Sequence, residues 1–157
     1  YMFFEWKSGD YTIRHMKPSY YVLSKLLDKD TIAKETTPDS QQDAINAAID
    51  SAHAWLKLVD DRAYDQSWQH AAAYFKNAVS KEQLIQSFDA VRSPLGKVIS
   101  RSIKSKTYTK QAPGAPDGQY VIIQFETSFE NKTSAVETIT PMLDKDGVWR
   151  VSGYYIK

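Results

Sequence analysis

Between residues 40 and 91 the apolar positions recur at steps of three and four, and from residue 97 onward they recur at steps of two. The first spacing is that of helices with one buried face, the second that of half-buried strands. Ser40-Gln41-Gln42-Asp43 opens like a capping box a helix whose apolar face is Ile45, Ala48, Ala52, Trp55, Leu56 and Val59, and the pattern stops near Asp60-Asp61. A second helix is predicted from Tyr64, Trp68, Ala71, Ala72, Phe75 and Val79. Ser80 and Gln83 form an S-x-x-Q box ahead of a third helix with Leu84, Ile85, Phe88 and Val91, closed by Ser93-Pro94-Leu95-Gly96. β-Branched and hydroxyl residues then give a long strand from Lys97 to Thr109, broken by the loop 112–118. Val121, Ile123, Phe125, Thr127 and Phe129 alternate with more polar neighbours in a second strand, a third runs from Ala135 to Leu143, and Asp146-Gly147 turns it into a fourth, Val148 to Ile156. Helices gathered ahead of antiparallel strands predict an α+β fold, three helices packed on one face of a curved four-stranded antiparallel sheet.

The polar stretch 33–40 is the one good linker, and the boundary falls near Pro38, dividing residues 1–37 from 38–157. The first part reads as a β-hairpin around Ser8-Gly9-Asp10, followed by an amphipathic helix carrying Val22, Leu23, Leu26 and Leu27. An isolated hairpin is marginal in water, so Phe3, Phe4, Trp6, Tyr11 and Ile13, with Tyr20 and Tyr21, need a surface to pack on. That surface is either the chain's own second part or a neighbouring subunit or partner.

At 157 residues, 42% hydrophobic and 25% charged, the chain fits one globular domain with a self-sufficient core. Lys plus Arg at 20 against Asp plus Glu at 19 leave a net charge of +1, too little to draw in nucleic acid. With no cysteine, disulfides, thiolate metal sites and Cys nucleophiles are excluded. No run reaches the roughly 20 apolar residues of a membrane span. The start lacks the pattern of a signal peptide and Tyr1 is not an initiator Met, so a leader has been removed or the sequence begins inside a longer chain.

No G-x-S-x-G, phosphate-cradling glycine loop or dinucleotide fingerprint occurs, so no catalytic set and no cofactor are expected. Acid–base candidates are His53, His70, Asp60, Glu126 and Glu137. Both histidines belong on helix flanks, Asp60 and Asp61 read as turn or N-cap acceptors, and Glu126 should point away from the core. Glu137 lies in a strand with apolar residues on both parities and reads as a surface partner of Arg101 or Arg150. No metal site is expected: His15, His53 and His70 are isolated, and Asp144-Lys145-Asp146-Gly147 is a hairpin turn whose twelfth position, Tyr155, is no calcium ligand. Lys97, Arg101, Lys104, Lys106 and Lys110 share one strand, as a charged edge guarding against strand pairing or as an anion-binding stripe.

Several separated segments together resemble the bacterial family called domain of unknown function 4019: His53-Ala54-Trp55-Leu56-Lys57-Leu58-Val59-Asp60, Tyr64 with Ser67-Trp68, residues 91–96, 113–120 and 136–147, and Trp149-Arg150-Val151-Ser152-Gly153-Tyr154-Tyr155. The resemblance covers about residues 41–157. It implies a cone-shaped fold like nuclear transport factor two and the SnoaL-like proteins, and an exported bacterial protein, periplasmic or secreted; it transfers no catalytic residues. In such a cone the inward residues line a cavity, which here would draw on Trp55, Tyr64, Trp68, Phe88, Phe125, Thr127, Thr138, Trp149 and Tyr155. The expected function is a non-enzymatic, extracytoplasmic domain that binds a protein partner or itself as a homo-oligomer, with the aromatic segment of residues 1–37 as contact element. The alternative is a small-molecule binding protein or SnoaL-like enzyme holding a small apolar ligand in the aromatic pocket.

Overall fold

A computed structural model describes residues 4–5, 12–13 and 38–157. Phe4–Glu5 (β1) pairs antiparallel with Thr12–Ile13 (β2), Phe4 opposite Ile13. The side chains of those strands and the amphipathic helix expected over 18–34 lie outside the described residues. From Pro38 the order is α1 (Pro38–Asp60), α2 (Tyr64–Gln69), α3 (Ala73–Ala78), α4 (Lys81–Val91), a 3-10 turn (Ser93–Leu95), then β3 (Val98–Thr109), β4 (Tyr120–Phe129), β5 (Lys132–Leu143) and β6 (Trp149–Ile156). The four long strands form one antiparallel sheet in sequence order, β3-β4-β5-β6. The α+β class and the four-stranded sheet agree with the expectation.

The helix count differs. Where one helix was expected over residues 64–79, the chain breaks at Ala71-Ala72 into α2 and α3. Apolar spacing continues through the break, but the backbone is captured by the sheet: the Ala72 amide donates to the Val151 carbonyl at 2.8 Å, and Ala72 adopts an extended ψ of 151°. The next amide, of Ala73, donates to the Asp144 carboxylate at 3.1 Å. Ala71 and Ala72 are fully buried, and only small side chains permit so close an approach of helix backbone to strand.

One face of the sheet carries the core. Val121, Ile123, Phe125, Thr127 and Phe129 of β4 all bury, as their alternation demands, against Ala48, Ala52, Trp55, Leu56 and Val59 of α1. Ser80 accepts from the Gln83 amide and Gln83 accepts from the Ser80 amide, the capping box read from the sequence. Bulges bend the sheet. Ile99 and Lys104 are the extra residues of β3 at its two register shifts against β4, and the β5–β6 register slips between Ile139 and Pro141. Pro141 is fully buried on an interior strand, and this irregularity is where a residue without an amide donor can stand.

Candidate functional site

Six side chains, five from α1 and the four long strands and one from the cap of α4, meet at one end of the core. Glu137 on β5 is 0% exposed and faces the helices, directly opposite Phe125. Its Oε2 accepts from Arg101 Nε at 2.6 Å and from the Thr127 hydroxyl at 2.5 Å; its Oε1 accepts from Tyr154 at 2.5 Å and from Arg101 Nη2 at 3.1 Å. Arg101 also donates to both oxygens of Asp60, at 2.7 and 3.0 Å, and Arg92 donates to Asp60 Oδ1 at 2.9 Å. Two carboxylates therefore meet two guanidinium groups, and the cluster is neutral. Neutrality is what makes its burial tolerable, since a lone charge there would meet a desolvation cost of several kcal/mol.

The helix ends fix this geometry. Arg62, at φ 59°, ends α1 with paired bonds from its amide to Val59 and from Ala63 to Leu58, a Schellman-type stop that sets Asp60 in the last turn. Arg92 caps α4, donates to the Gly96 carbonyl at 2.7 Å and lies 4.5 Å over the Phe129 ring. Burial would lower the Arg101 pKa, but its hydrogen bonds to Asp60 and Glu137, with their negative charges, outweigh it, so its guanidinium is held above its ordinary value. Burial, with the neighbouring Glu137 charge, pushes the Tyr154 phenol well above its usual range.

This arrangement corrects two expectations. Glu137 does pair with Arg101, but inside the core, because its parity on β5 is that of Ala135 and Ile139. Asp60 caps no turn: α2 has Ala63 at its N-cap without a side-chain bond, and Asp61 pairs with Lys57 at 2.6 Å on the surface. Glu126 is exposed and bonds Lys104 at 3.0 Å. His53 and His70 are exposed, His53 with its ring 5.4 Å from Phe125. Asp60, Arg92, Arg101, Thr127 and Tyr154 were not singled out as a set; the available signal was polar residues at inward parity near one end of adjacent strands.

The aromatic residues expected around a ligand divide into separate places. Trp55, Tyr64, Phe88 and Tyr154 pack ring against ring, with centroids 5.1 to 6.0 Å apart. Trp55 donates to the Ser67 carbonyl and Trp68 to the Val79 carbonyl, both at 2.7 Å. Phe125 is buried on the same face of the sheet. Thr138 and Tyr155 are cross-strand partners on the opposite face, and Thr138 Oγ1 is buried without a partner. Trp149 lines a surface hollow of about 480 Å³ with Ala54, Trp55, Leu58 and Val148. Of the residues expected to contact a partner, the described ones, Phe4 and Ile13, pair across the small hairpin; Phe3, Trp6, Tyr11, Tyr20 and Tyr21 lie outside the described residues.

The family described as a protein of unknown function (DUF4019) matches residues 51–154. The chain belongs to this family. The match spans all six residues of the buried cluster. No curated protein matches the chain.

Two surface features of this DUF4019 domain remain. A second hollow, of about 510 Å³, adjoins the first and shares His70 and Arg150 with it; here Arg150 is taken up by Asp146 at 2.7 Å through each of two nitrogens. The other is the outer edge of β3. It is a sheet border 12 residues long with no described backbone group paired along it. Two of the three exposed large hydrophobic residues of the described chain, Ile99 at 67% and Ile103 at 40%, stand on it. Among the described residues no three His, Asp or Glu side chains converge on a metal-sized point, and no helix is long and apolar enough to cross a membrane.

Proposed function

We propose that this domain is a non-enzymatic binding or self-assembly module that works through its surface, outside the cytoplasm. The observation that supports this best is the outer edge of β3, which no described residue pairs, with its two exposed isoleucines, set against an interior occupied by rings packed edge to face and an ion cluster whose carboxylate oxygens all accept hydrogen bonds. A long open strand edge bearing apolar side chains is a template for another strand. By contrast every oxygen of Glu137 and Asp60 already accepts a hydrogen bond, so these acids hold the fold rather than await a substrate. Residues 1–37, with their aromatic side chains, are a second contact element in this reading. The extracytoplasmic setting, and the cone-shaped kinship with nuclear transport factor two and the SnoaL-like proteins, rest on the sequence resemblance alone.

Native mass spectra of the full chain test the reading. A multimer or complex that falls apart in Ile103→Asp, or on removal of residues 1–37, is the expected result. A bare monomer that holds a small molecule, and loses it in Trp149→Ala, would replace this reading with ligand binding in the hollow beneath Trp149, whose Ala54, Leu58 and Val148 offer an apolar wall.

A further inference from the structure

The open edge of β3 has a charge as well as a shape, and the charge selects the partner. The stretch 97–110 contains Lys97, Arg101, Lys104, Lys106 and Lys110 and no Asp or Glu. Arg101 turns inward to Asp60 and Glu137, and Lys104 is met by Glu126. Lys97, Lys106 and Lys110 are exposed, and none of their ammonium groups forms an ion pair within the described chain. The bulges at Ile99 and Lys104 divide the edge into two straight runs, Ser100–Ile103 and Ser105–Thr109. Bulges and lysines are devices by which an edge refuses indiscriminate strands. Exposed Ile99 and Ile103 run against that purpose and add apolar area to the same border.

A second copy of β3 is a poor match for this edge. Antiparallel pairing over the full length, Val98 opposite Thr109, places Lys97 against Lys110 at both ends of the pair. Like charges facing each other across a strand pair are destabilising. An acidic strand meets the opposite situation, gaining main-chain hydrogen bonds along Ser105–Thr109 and charge pairing with Lys106 and Lys110.

Resting on the binding-module reading above, we infer that the edge of β3 receives an extended, acidic segment of a partner protein as an added strand. Acidic side chains of that segment lie beside Lys106 and Lys110, and its alternate, apolar side chains lie on the other face of the strand, beside Ser105 and Thr107. The main chain of Ser105–Thr109 supplies the register.

The test uses the full chain and two synthetic peptides of about ten residues, an ordinary strand's length or somewhat more, one alternating Val with Glu and one alternating Val with Lys. Binding of the Glu peptide at least about tenfold tighter, with the gap closing as salt rises past roughly 0.5 M, is expected, together with new amide-exchange protection confined to β3. In Lys106→Glu/Lys110→Glu, whose folding is checked by circular dichroism, the preference should reverse. Equal affinity for both peptides, or protection away from β3, overturns the inference. A dimer of the chain itself that is lost in Ile103→Asp, with neither peptide bound, overturns it while leaving the binding-module reading intact. A monomer that binds neither peptide overturns this inference, and with residues 1–37 also without effect on mass it overturns both.

Discussion

Arg101 and Glu137 share a hydrogen bond of 2.6 Å although a whole strand, β4, lies between the strands that carry them. Two strand spacings separate β3 from β5, close to 9.5 Å at about 4.8 Å each, and only a side chain as long as arginine crosses that gap. Thr127, directly opposite Arg101 on β4, is short enough to let it pass and donates its own hydroxyl to the same carboxylate. The pair thus ties together three strands, and through Asp60 it ties them to the end of α1.

Removing one member of this cluster should cost much of what removing a pair does, because the members depend on one another. Arg101→Ala leaves Glu137 buried without its cation and is expected to lower unfolding free energy by about 3–5 kcal/mol. Arg101→Met combined with Glu137→Gln leaves Asp60 with Arg92 and should cost well under the sum of the single changes, with a coupling of roughly 1–3 kcal/mol. Urea denaturation of the parent, Arg101→Ala, Arg101→Met, Glu137→Gln and the double variant measures both quantities. A loss below about 1 kcal/mol for Arg101→Ala, the range of an exposed pair, would mean the cluster is reached by water.

Tyr154 links the cluster to alkaline stability. Because its phenol is raised above the ordinary value of 10.0, it stays protonated in the folded chain after the unfolded chain has begun to ionise. A raised pKa contributes stability that is whole below the unfolded value and is lost as pH climbs from there through the folded one. Tyr154→Phe removes a hydrogen bond to a charged acceptor, worth about 1.5–3 kcal/mol near neutrality. Above pH 10 its deficit should shrink, because the variant has no phenol to ionise there. Melting temperatures of both proteins across that range check this, and a constant deficit would contradict the raised value.

How far the sequence revealed this structure depends on the range of the forces involved. The capping box at Ser80 and Gln83, the alternation of β4 and the Asp144–Gly147 turn are set by neighbours a few residues apart, and each stands where its pattern put it. The break between α2 and α3 is set instead by Val151 and Asp144, more than seventy residues along the chain, so helical spacing alone carried the expectation through it. Glu137 was misplaced for a related reason. Glu137, Thr138, Ile139, Thr140 and Pro141 are all buried, so β5 shows no polar side from which parity could be read. The pairing of Glu137 with Arg101 was legible from charge; its burial needed the register.

The β5–β6 hairpin should loosen in acid. Hydrogen bonding to Arg150 holds the Asp146 carboxyl down at about 2, against an ordinary 3.8. Asp144 is lowered too, first by the Ala73 amide that docks α3 on the hairpin. A depressed pKa gives stability that is present above the unfolded value and lost as pH falls through the folded one. The contribution therefore disappears between about 3.8 and about 2. The melting temperature of Asp146→Asn should lie below that of the parent at neutral pH and converge with it across this acid window. Parallel curves down to the lower limit would show that Arg150 does not hold Asp146 in solution.

Arg62 is a stabilising substitution waiting at the end of α1. It is the one described residue other than glycine with a positive φ, at 59°, and it is exposed. Left-handed backbone strains any side chain with a Cβ, and glycine is the usual occupant of this position in the helix stop. Relief of about 1–2 kcal/mol of left-handed strain, less glycine's entropy cost of about 0.5–1 kcal/mol, means that Arg62→Gly should raise stability by roughly 0.5–1 kcal/mol. A decrease, measured by thermal melting, would mean the Arg62 side chain makes a contact in solution that offsets the strain.

Gly96 and Gly147 have nearly the same φ, +76° and +79°, but opposite surroundings. An added Cβ at Gly96 would lie 2.8 Å from Glu130 Oε2 and 2.9 Å from Glu130 Cβ, whereas at Gly147 nothing stands within 4 Å. Ala at either position is strained: positive φ costs a side chain with a Cβ about 1–2 kcal/mol, and ψ −155° puts Gly96 in a region that is essentially glycine's alone. Backbone strain and crowding therefore act together at Gly96, while strain acts alone at Gly147. Gly96 also delivers the chain from the 3-10 turn into β3 and offers its carbonyl to Arg92, so displacing it pulls on the buried cluster. Gly96→Ala should cost at least about 1 kcal/mol more than Gly147→Ala, within the range for an overpacked site. Equal losses would show that Glu130 gives way, and that the connection from α4 to β3 is looser than its contacts indicate.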